Sequence, residues 1–403
     1  MQDFFLSSDL KTPYFVFDEV KLEKELKELE KSIKEFWPNT KIAYSVKTNS
    51  LPYLASYFSK AGICAEVVSE DEYDLVKLCG FENQNIVCNG PIKNRNFVYK
   101  ILTGQSIINI DSHAELEYVH NYALLNPDKI IKVGIRANIE IESQFPHESN
   151  AGSRGSRFGF CAGNNQLAIA IKTLRQDKNV KICGLHLHTS TKTREVSIYQ
   201  WLADQFVKII RENHLDEIEY FDIGGGFWGG LANKPQWKDY LKGIRTSLIS
   251  CGFSPSNLCL IMEPGVSLLA GSFSYYARVV DVKSTRRSVF VVCDGSRIHI
   301  DPFFHKTSYF YQTYQNGERK LLDNQKLVGF TCLEYDEIMN FNSFKAFKVG
   351  DIIRFDKVGA YTLTLSPLFI SYFPPVYAID GQGGVKCVRA KWGANELIQK
   401  SLI

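Results

Sequence analysis

The chain has 403 residues, 47 of them basic and 44 acidic, with 45% hydrophobic and 13% aromatic content. Charge this evenly balanced excludes nucleic acid or an anionic membrane as the main partner, and no apolar run approaches the roughly 20 residues of a bilayer span. The length points to two domains, one of them large enough to be a barrel. Ten cysteines lie scattered with no CxxC pair and no zinc-like Cys/His spacing, so reduced thiols in a cytoplasmic protein are expected. The opening "MQDFFLSSDLKTPYF" lacks a basic n-region and a long apolar core, and no signal peptide is expected there.

In chain order, "TPYFVFD" (12–18) reads as a strand introduced by a proline. It leads into a helix in which Leu22, Leu26, Leu29, Ile33 and Phe36 recur at three- and four-residue steps. Short apolar runs then alternate with helical segments. The runs are "KIAYSV", "GICAEVV", "NIVCNG", "SIINID", "IIKVGIRANI", "KICGLHLH", "IEYFDIGG" and "LCLIMEPG". Such alternation predicts an α/β fold, a parallel (β/α)₈ TIM barrel over residues 25–272. Beyond about residue 270 the texture becomes aromatic and β-branched, in "SFSYYARVVDVKST", "SVFVVCDG", "KLVGFTC" and "DIIRFDKVGAYTL". A C-terminal, mostly antiparallel β domain is expected over 273–403, joined in space by residues 1–24.

Polar residues end the apolar runs: Lys47, Glu66, Asn89, Asp111, Arg136, His188, Gly224 to Gly226 and Glu263. In a barrel these ends converge on one mouth, the usual active-site face. Lys47 after "KIAYSV" either snorkels to water or is there to react, and burial in an apolar strand would favour its neutral, nucleophilic form. "FDIGGGFWGG" leaves bare backbone N–H groups suited to a phosphate, or makes a tight turn. His186 and His188 alternate along one strand, so both enter the mouth or one packs inside. With no obvious carboxylate nearby, no metal is expected on them; a flat ring stacked on an aromatic cofactor is the alternative. Glu263 in "IMEPGVS" needs a cationic or hydrogen-bonding partner, which a protonated pyridine nitrogen would supply. Cys332 and Tyr361 follow apolar strands and fall in turns.

"AYSVKTN", "AEVVSEDE", "NGPIKN", "INIDSHAELE", "VGIRANI", "SRFGF", "GLHLH", "FDIGGG", "EPG", "GFTCLEYD" and "GAYT" occur in an order that resembles the fold-type III pyridoxal-phosphate enzymes. These are the ornithine, diaminopimelate and carboxynorspermidine decarboxylase-like proteins, built like alanine racemase. The resemblance runs from about residue 12 to 365; each motif alone is weak, the ordered set specific. It implies pyridoxal 5'-phosphate as cofactor and Lys47 as the Schiff-base lysine. It also implies His188 as the stacking ring and Glu263 as the partner of the pyridine nitrogen. Glu66, Arg136 and Gly265 would be further cofactor contacts. Gly224, Gly225, Gly226, Thr191 and Tyr361 would cradle the phosphate. Cys332 would come from a partner subunit to protonate the carbanion, which makes the protein a homodimer with shared sites and an amino-acid substrate.

The chain departs from that pattern, and "SRIHIDPFFHK" (296–306) lacks the usual arginine pattern for a substrate carboxylate. Val266 stands where the family often has the arginine of "EPGR", "HTST" replaces "HIGS", and Leu333 follows the cysteine where an acid is usual. Arg297, His299, Glu334 and Asp336 are the candidate substrate contacts, and free ornithine or meso-diaminopimelate is a doubtful substrate. The expected activity is decarboxylation of an amino acid or aminoacyl conjugate, in polyamine, siderophore or peptide-antibiotic biosynthesis. A racemase of the same fold and a non-catalytic PLP-binding relative are the alternatives.

Overall fold

Leu22, Leu26, Leu29 and Ile33 bury one face of the helix Glu19–Phe36, which follows the strand Tyr14–Asp18 (β1). This computed structural model describes residues 10–402, so most of the opening segment read above for a leader lies outside the described residues. The described chain divides into two units, residues 25–267 and residues 10–24 with 268–402.

The first unit holds the expected alternation. Its strands are Thr40–Ser45 (β2), Cys64–Val67 (β3), Ile86–Cys88 (β4), Ile107–Ile110 (β5) and Ile131–Asn138 (β6). They continue through Phe160–Cys161 (β7), Val180–His186 (β8), Tyr220–Asp222 (β9) and Cys259–Met262 (β10). All pair in parallel in the order β5-β4-β3-β2-β10-β9-β8-β6, and β5 pairs β6 to close the ring. The two-residue β7, which starts at the last residue of "SRFGF", pairs with Ala137 and Asn138 at the end of β6. Closure leaves no strand edge and turns every carboxyl end toward one mouth.

Helices begin where side chains can take the free N–H groups of a first turn. Ser69 accepts from Glu72 N–H, Asn94 from Phe97 N–H and Ser112 from Glu115 N–H, caps worth about 1 kcal/mol each. The helices Arg95–Gly104 and Trp237–Ser250 are part of the alternation. Inside the ring, Ala43, Cys64, Val87, Cys183 and Ile261 form an apolar layer with Tyr220. The Tyr220 ring lies where Gly184 has no side chain, since a Cβ there would meet it at 1.9 Å. Its hydroxyl donates to Asn109 Oδ1 at 2.9 Å, satisfying a buried O–H.

The second unit is β-rich. Its remaining strands are Phe273–Ser284 (β11), Val289–Cys293 (β12), Phe310–Tyr314 (β13), Leu321–Val328 (β14) and Glu337–Lys345 (β15). Ile352–Asp356 (β16), Val376–Ile379 (β17) and Val385–Arg389 (β18) follow. The sheet runs β15-β14-β12-β11-β1-β17-β18, with β16 between β11 and β13; only β1–β17 and β12–β14 are parallel. The strand β1 lies between β11 and β17 in this sheet. Tyr14 stacks on Tyr276 at 5.1 Å and Phe17 on Phe273 at 4.9 Å, pairs worth about 0.5–1.5 kcal/mol each beyond their burial. Among the described residues no helix is long and apolar enough to cross a membrane.

Candidate active site

The barrel gathers the polar strand ends read from the sequence. Lys47 stands just past β2, in the single 3₁₀ turn Val46–Thr48. An apolar sheath was expected around its amine. Instead the side chain is 39% exposed and its Nζ is ion-paired and hydrogen-bonded to Glu66 from the end of β3. Glu66 Oε2 also accepts from Ser45 Oγ at 2.7 Å, and Oε1 from Asn89 Nδ2 at 3.4 Å. Burial raises the Glu66 pKa, yet the Lys47 ammonium and these hydrogen bonds outweigh it and hold the group below its ordinary value. Glu66 is therefore an anion that fixes the position of Lys47. Arg136, at the end of β6, donates to Asp111 at 3.1 Å and lies 4.9 Å from the Phe158 ring centre. Its Nε is buried without a partner.

A buried acid pair sits deeper in the mouth. Asp222 ends β9 and Glu263 follows β10; their carboxyl groups share a hydrogen bond. Burial is the main cause lifting Asp222 to about 7 and Glu263 well above its ordinary value, and mutual repulsion adds to the second. The pair therefore keeps a proton at neutral pH, as two crowded carboxylates must. Asn89 donates to Glu263, and Asn109 donates to Asn89 Oδ1 at 2.9 Å and Asp222 Oδ2 at 3.0 Å.

His186 and His188 do share a face, with ring centres 6.4 Å apart. Burial, then the cations Arg136 and Lys47, lowers His188 to about 3, and His186 lies well below its ordinary value. Both rings are neutral. The sequence offered no carboxylate near them, but neighbouring strands bring Asp222 and Glu263 to His186, with ligating atoms within 4.8 Å of one another. Both carboxyl groups already accept hydrogen bonds from Gly224 N–H, Asn109 and Asn89, which favours proton sharing over ligation of an ion.

The glycine loop is less bare than expected. Gly224 N–H donates to Asp222 at 3.0 Å and Gly225 N–H to His188 Nδ1 at 3.3 Å. Gly224 has φ +70°, and a Cβ there would lie 2.4 Å from His188 Nδ1, so only glycine fits. Gly265 packs on Thr48, the residue after Lys47, and Thr191 is buried and bridges to Ser149.

These residues fit pyridoxal phosphate on grounds internal to the fold. A cationic ring nitrogen at Glu263 would offset both burial and repulsion in the acid pair. The buried, unpartnered nitrogens of His186 and Arg136 Nε await polar groups, and the glycine loop presents backbone where side chains would collide. Sequence reasoning gave no role to Asp222, Asn109 or Ser45. A polar residue inside an apolar strand, as in "SIINID" and "EYFDIGG", was the available signal.

In the β-rich unit Cys332 and Tyr361 are exposed, each in a turn, and Tyr361 has φ +56°. Glu334 is exposed as well. The other substrate candidates hold the unit together instead. His299 is 1% exposed and bonds the Tyr275 hydroxyl at 2.6 Å. Asp336, 2% exposed, accepts from Ser296 Oγ, Arg297 N–H and Thr331 Oγ1. Arg297 spends its guanidinium on Asp301 and on the Glu337 and Lys306 carbonyls. Arg297 and His299 share the short helix Arg297–Ile300, and Asp336, 39 residues further on, folds back to accept from its first N–H.

Comparison with known proteins identifies the family. Residues 21–270 match the family described as pyridoxal-dependent decarboxylase, pyridoxal binding domain. Diaminopimelate decarboxylase of Aquifex aeolicus is 23% identical, over 98% of this chain and 93% of its own. L-glutamyl-[BtrI acyl-carrier protein] decarboxylase of Niallia circulans is 24% identical, over 98% and 95%. The structure of diaminopimelate decarboxylase from M. jannaschii in complex with L-lysine superposes with TM-score 0.86 at 21% identity, covering 100% and 94%. A family match over most of the chain, on a barrel whose mouth suits the cofactor, places this protein in the pyridoxal-dependent decarboxylase family as a PLP-dependent amino-acid carboxy-lyase.

Proposed function

We propose that this carboxy-lyase acts on an α-amino acid whose distal end is a conjugate or another group not read by an acid beside Cys332. Leu333 carries the reading: an apolar side chain stands where a free distal ammonium would need a carboxylate. The relative that acts on a carrier-bound glutamyl group supports it.

When bound, the cofactor supplies an electron sink for the pair left behind as CO₂ departs. The rest is work for the chain. Lys47 is the amine that holds the cofactor, and Glu66 and Ser45 orient it. Glu263, backed by Asp222, keeps the ring nitrogen protonated, while His188 offers a neutral flat surface. Arg136, Thr191, Gly224, Gly225, Gly226, Gly265 and Tyr361 complete the cofactor contacts. Glu334, two residues beyond Cys332 rather than directly after it, is the proposed substrate contact in the β-rich unit, accepting a hydrogen bond from the conjugate. Cys332 returns a proton to the α-carbon, a role open to a thiol with access to solvent.

We further infer a homodimer in which Cys332 is contributed by the partner subunit, and a cytoplasmic setting consistent with ten free thiols. Mixing Lys47→Ala with Cys332→Ala protein tests the first point. Random reassortment gives heterodimers with one intact site, so activity should return to roughly a quarter of wild type. No recovery would refute shared sites. For the substrate, mass spectrometry would follow CO₂ loss over ornithine, arginine, meso-diaminopimelate and a carrier-bound glutamyl thioester. Turnover of a free diamino acid ahead of every conjugate would overturn the proposed class.

A further inference from the structure

The barrel has a second opening. Lys41 lies near the start of β2, and Ile107, Ile131, Tyr220 and Cys259 begin β5, β6, β9 and β10. These strand beginnings, at the end away from Lys47, surround a cavity of about 680 Å³. That volume is within the roughly 300–1,000 Å³ typical of small-molecule sites.

The walls are apolar, supplied by Ile107, Ile108, Ile131 and Ile261 with the thiols of Cys183 and Cys259. Burial pushes Cys183 up to about 12 and raises Cys259 too, so both thiols stay neutral and behave as small hydrophobes. The rim differs. Lys41, Lys129 and Lys132 face one carboxylate, Glu219, and Lys132 takes it at 2.6 Å. Lys41 and Lys129 have no carboxylate partner among the described residues. Tyr220 and Asn109 stand at the inner end, the ring reaching from β9 over Gly184 and Gly134 to the Asn109 amide on β5. The cavity is thus separated from the acid pair by a satisfied, packed layer.

We propose that this cavity is a second ligand site, distinct from the catalytic mouth, for a small molecule with an apolar body and one carboxylate. The body would occupy the isoleucine- and cysteine-lined interior, and the carboxylate would meet Lys41 and Lys129 at the rim.

Octanoate is the probe, titrated calorimetrically into the holoenzyme beside octanol and octylamine. Octanoate should saturate at one molecule per chain and bind more tightly than either control. Lys129→Glu, at an exposed rim position, should weaken it by about tenfold, the loss expected when one favourable charge becomes unfavourable. Cys183→Phe should fill the interior and abolish binding; if that variant does not fold, Lys129→Glu still decides the matter. The proposal falls if octanoate fails to saturate, if octylamine binds equally well, or if Lys129→Glu leaves the affinity unchanged. None of these readouts depends on turnover, so they stand apart from the assignment of the catalytic substrate.

Discussion

Asp222→Asn isolates the cost of burying two acids side by side. In the folded protein Asp222 is lifted from 3.8 to about 7, chiefly by burial, so the native state binds its proton more tightly than the unfolded chain does. Its contribution is favourable below pH 3.8 and is lost as pH rises through about 7. That interval corresponds to about 4 kcal/mol. Absolute stability carries opposing terms from His186 and His188, whose lowered values favour the fold only above their unfolded pKa. Both proteins retain those rings, so the difference between wild type and Asp222→Asn is the quantity to measure. Urea unfolding of the two apoproteins should show wild type losing about 4 kcal/mol relative to the variant between about pH 4 and pH 8. Saturating pyridoxal phosphate should shrink that loss, because a cation at Glu263 supports the ionised pair. A stability difference independent of pH, or one that moves the other way, would refute the reasoning.

Lys47→Ala should abolish the cofactor's visible absorbance after gel filtration and lower turnover by about a thousandfold or more, read by spectrophotometry and CO₂ release. Gly224→Ala would press a methyl group against His188 from a left-handed backbone, costing about 1–3 kcal/mol in thermal unfolding and weakening cofactor binding in a fluorescence titration. Cys332→Ala should cut kcat by about a hundredfold while leaving cofactor affinity unchanged, the split expected of a proton donor. Asn109→Leu removes a donor to both Asn89 and Asp222 and orphans the Tyr220 hydroxyl; about 2–4 kcal/mol of stability should disappear in chemical denaturation.

The barrel was legible because each of its strands is a short apolar run stopped by a polar residue, and that rhythm is local. The polar residues at the strand ends were legible for the same reason. What the sequence hid were relations across the ring. Asn109 touches Asn89, Asp222 and Tyr220, residues 20, 113 and 111 positions away, and no window of sequence joins them. Lys47 looked sheltered because the residues before it are apolar, whereas its neighbour in space is Glu66 from the next strand. His299 looked functional because it is polar and near Arg297, and Asp336 because it follows Cys332 within "GFTCLEYD". The structure turns both inward to satisfy buried donors and acceptors, a use of polarity that composition does not distinguish from chemistry.

The strand β1 has a consequence for how the protein is made. Its neighbours are Phe273–Ser284 and Val376–Ile379, so Phe15 must wait for Tyr275 and Val376 before either side of it is covered. On a ribosome the barrel can close while β1 is still unpaired, an apolar ribbon awaiting the last part of the message. Stop codons placed before residue 376 should therefore yield chains that aggregate through their amino ends, although every strand of the barrel has been translated.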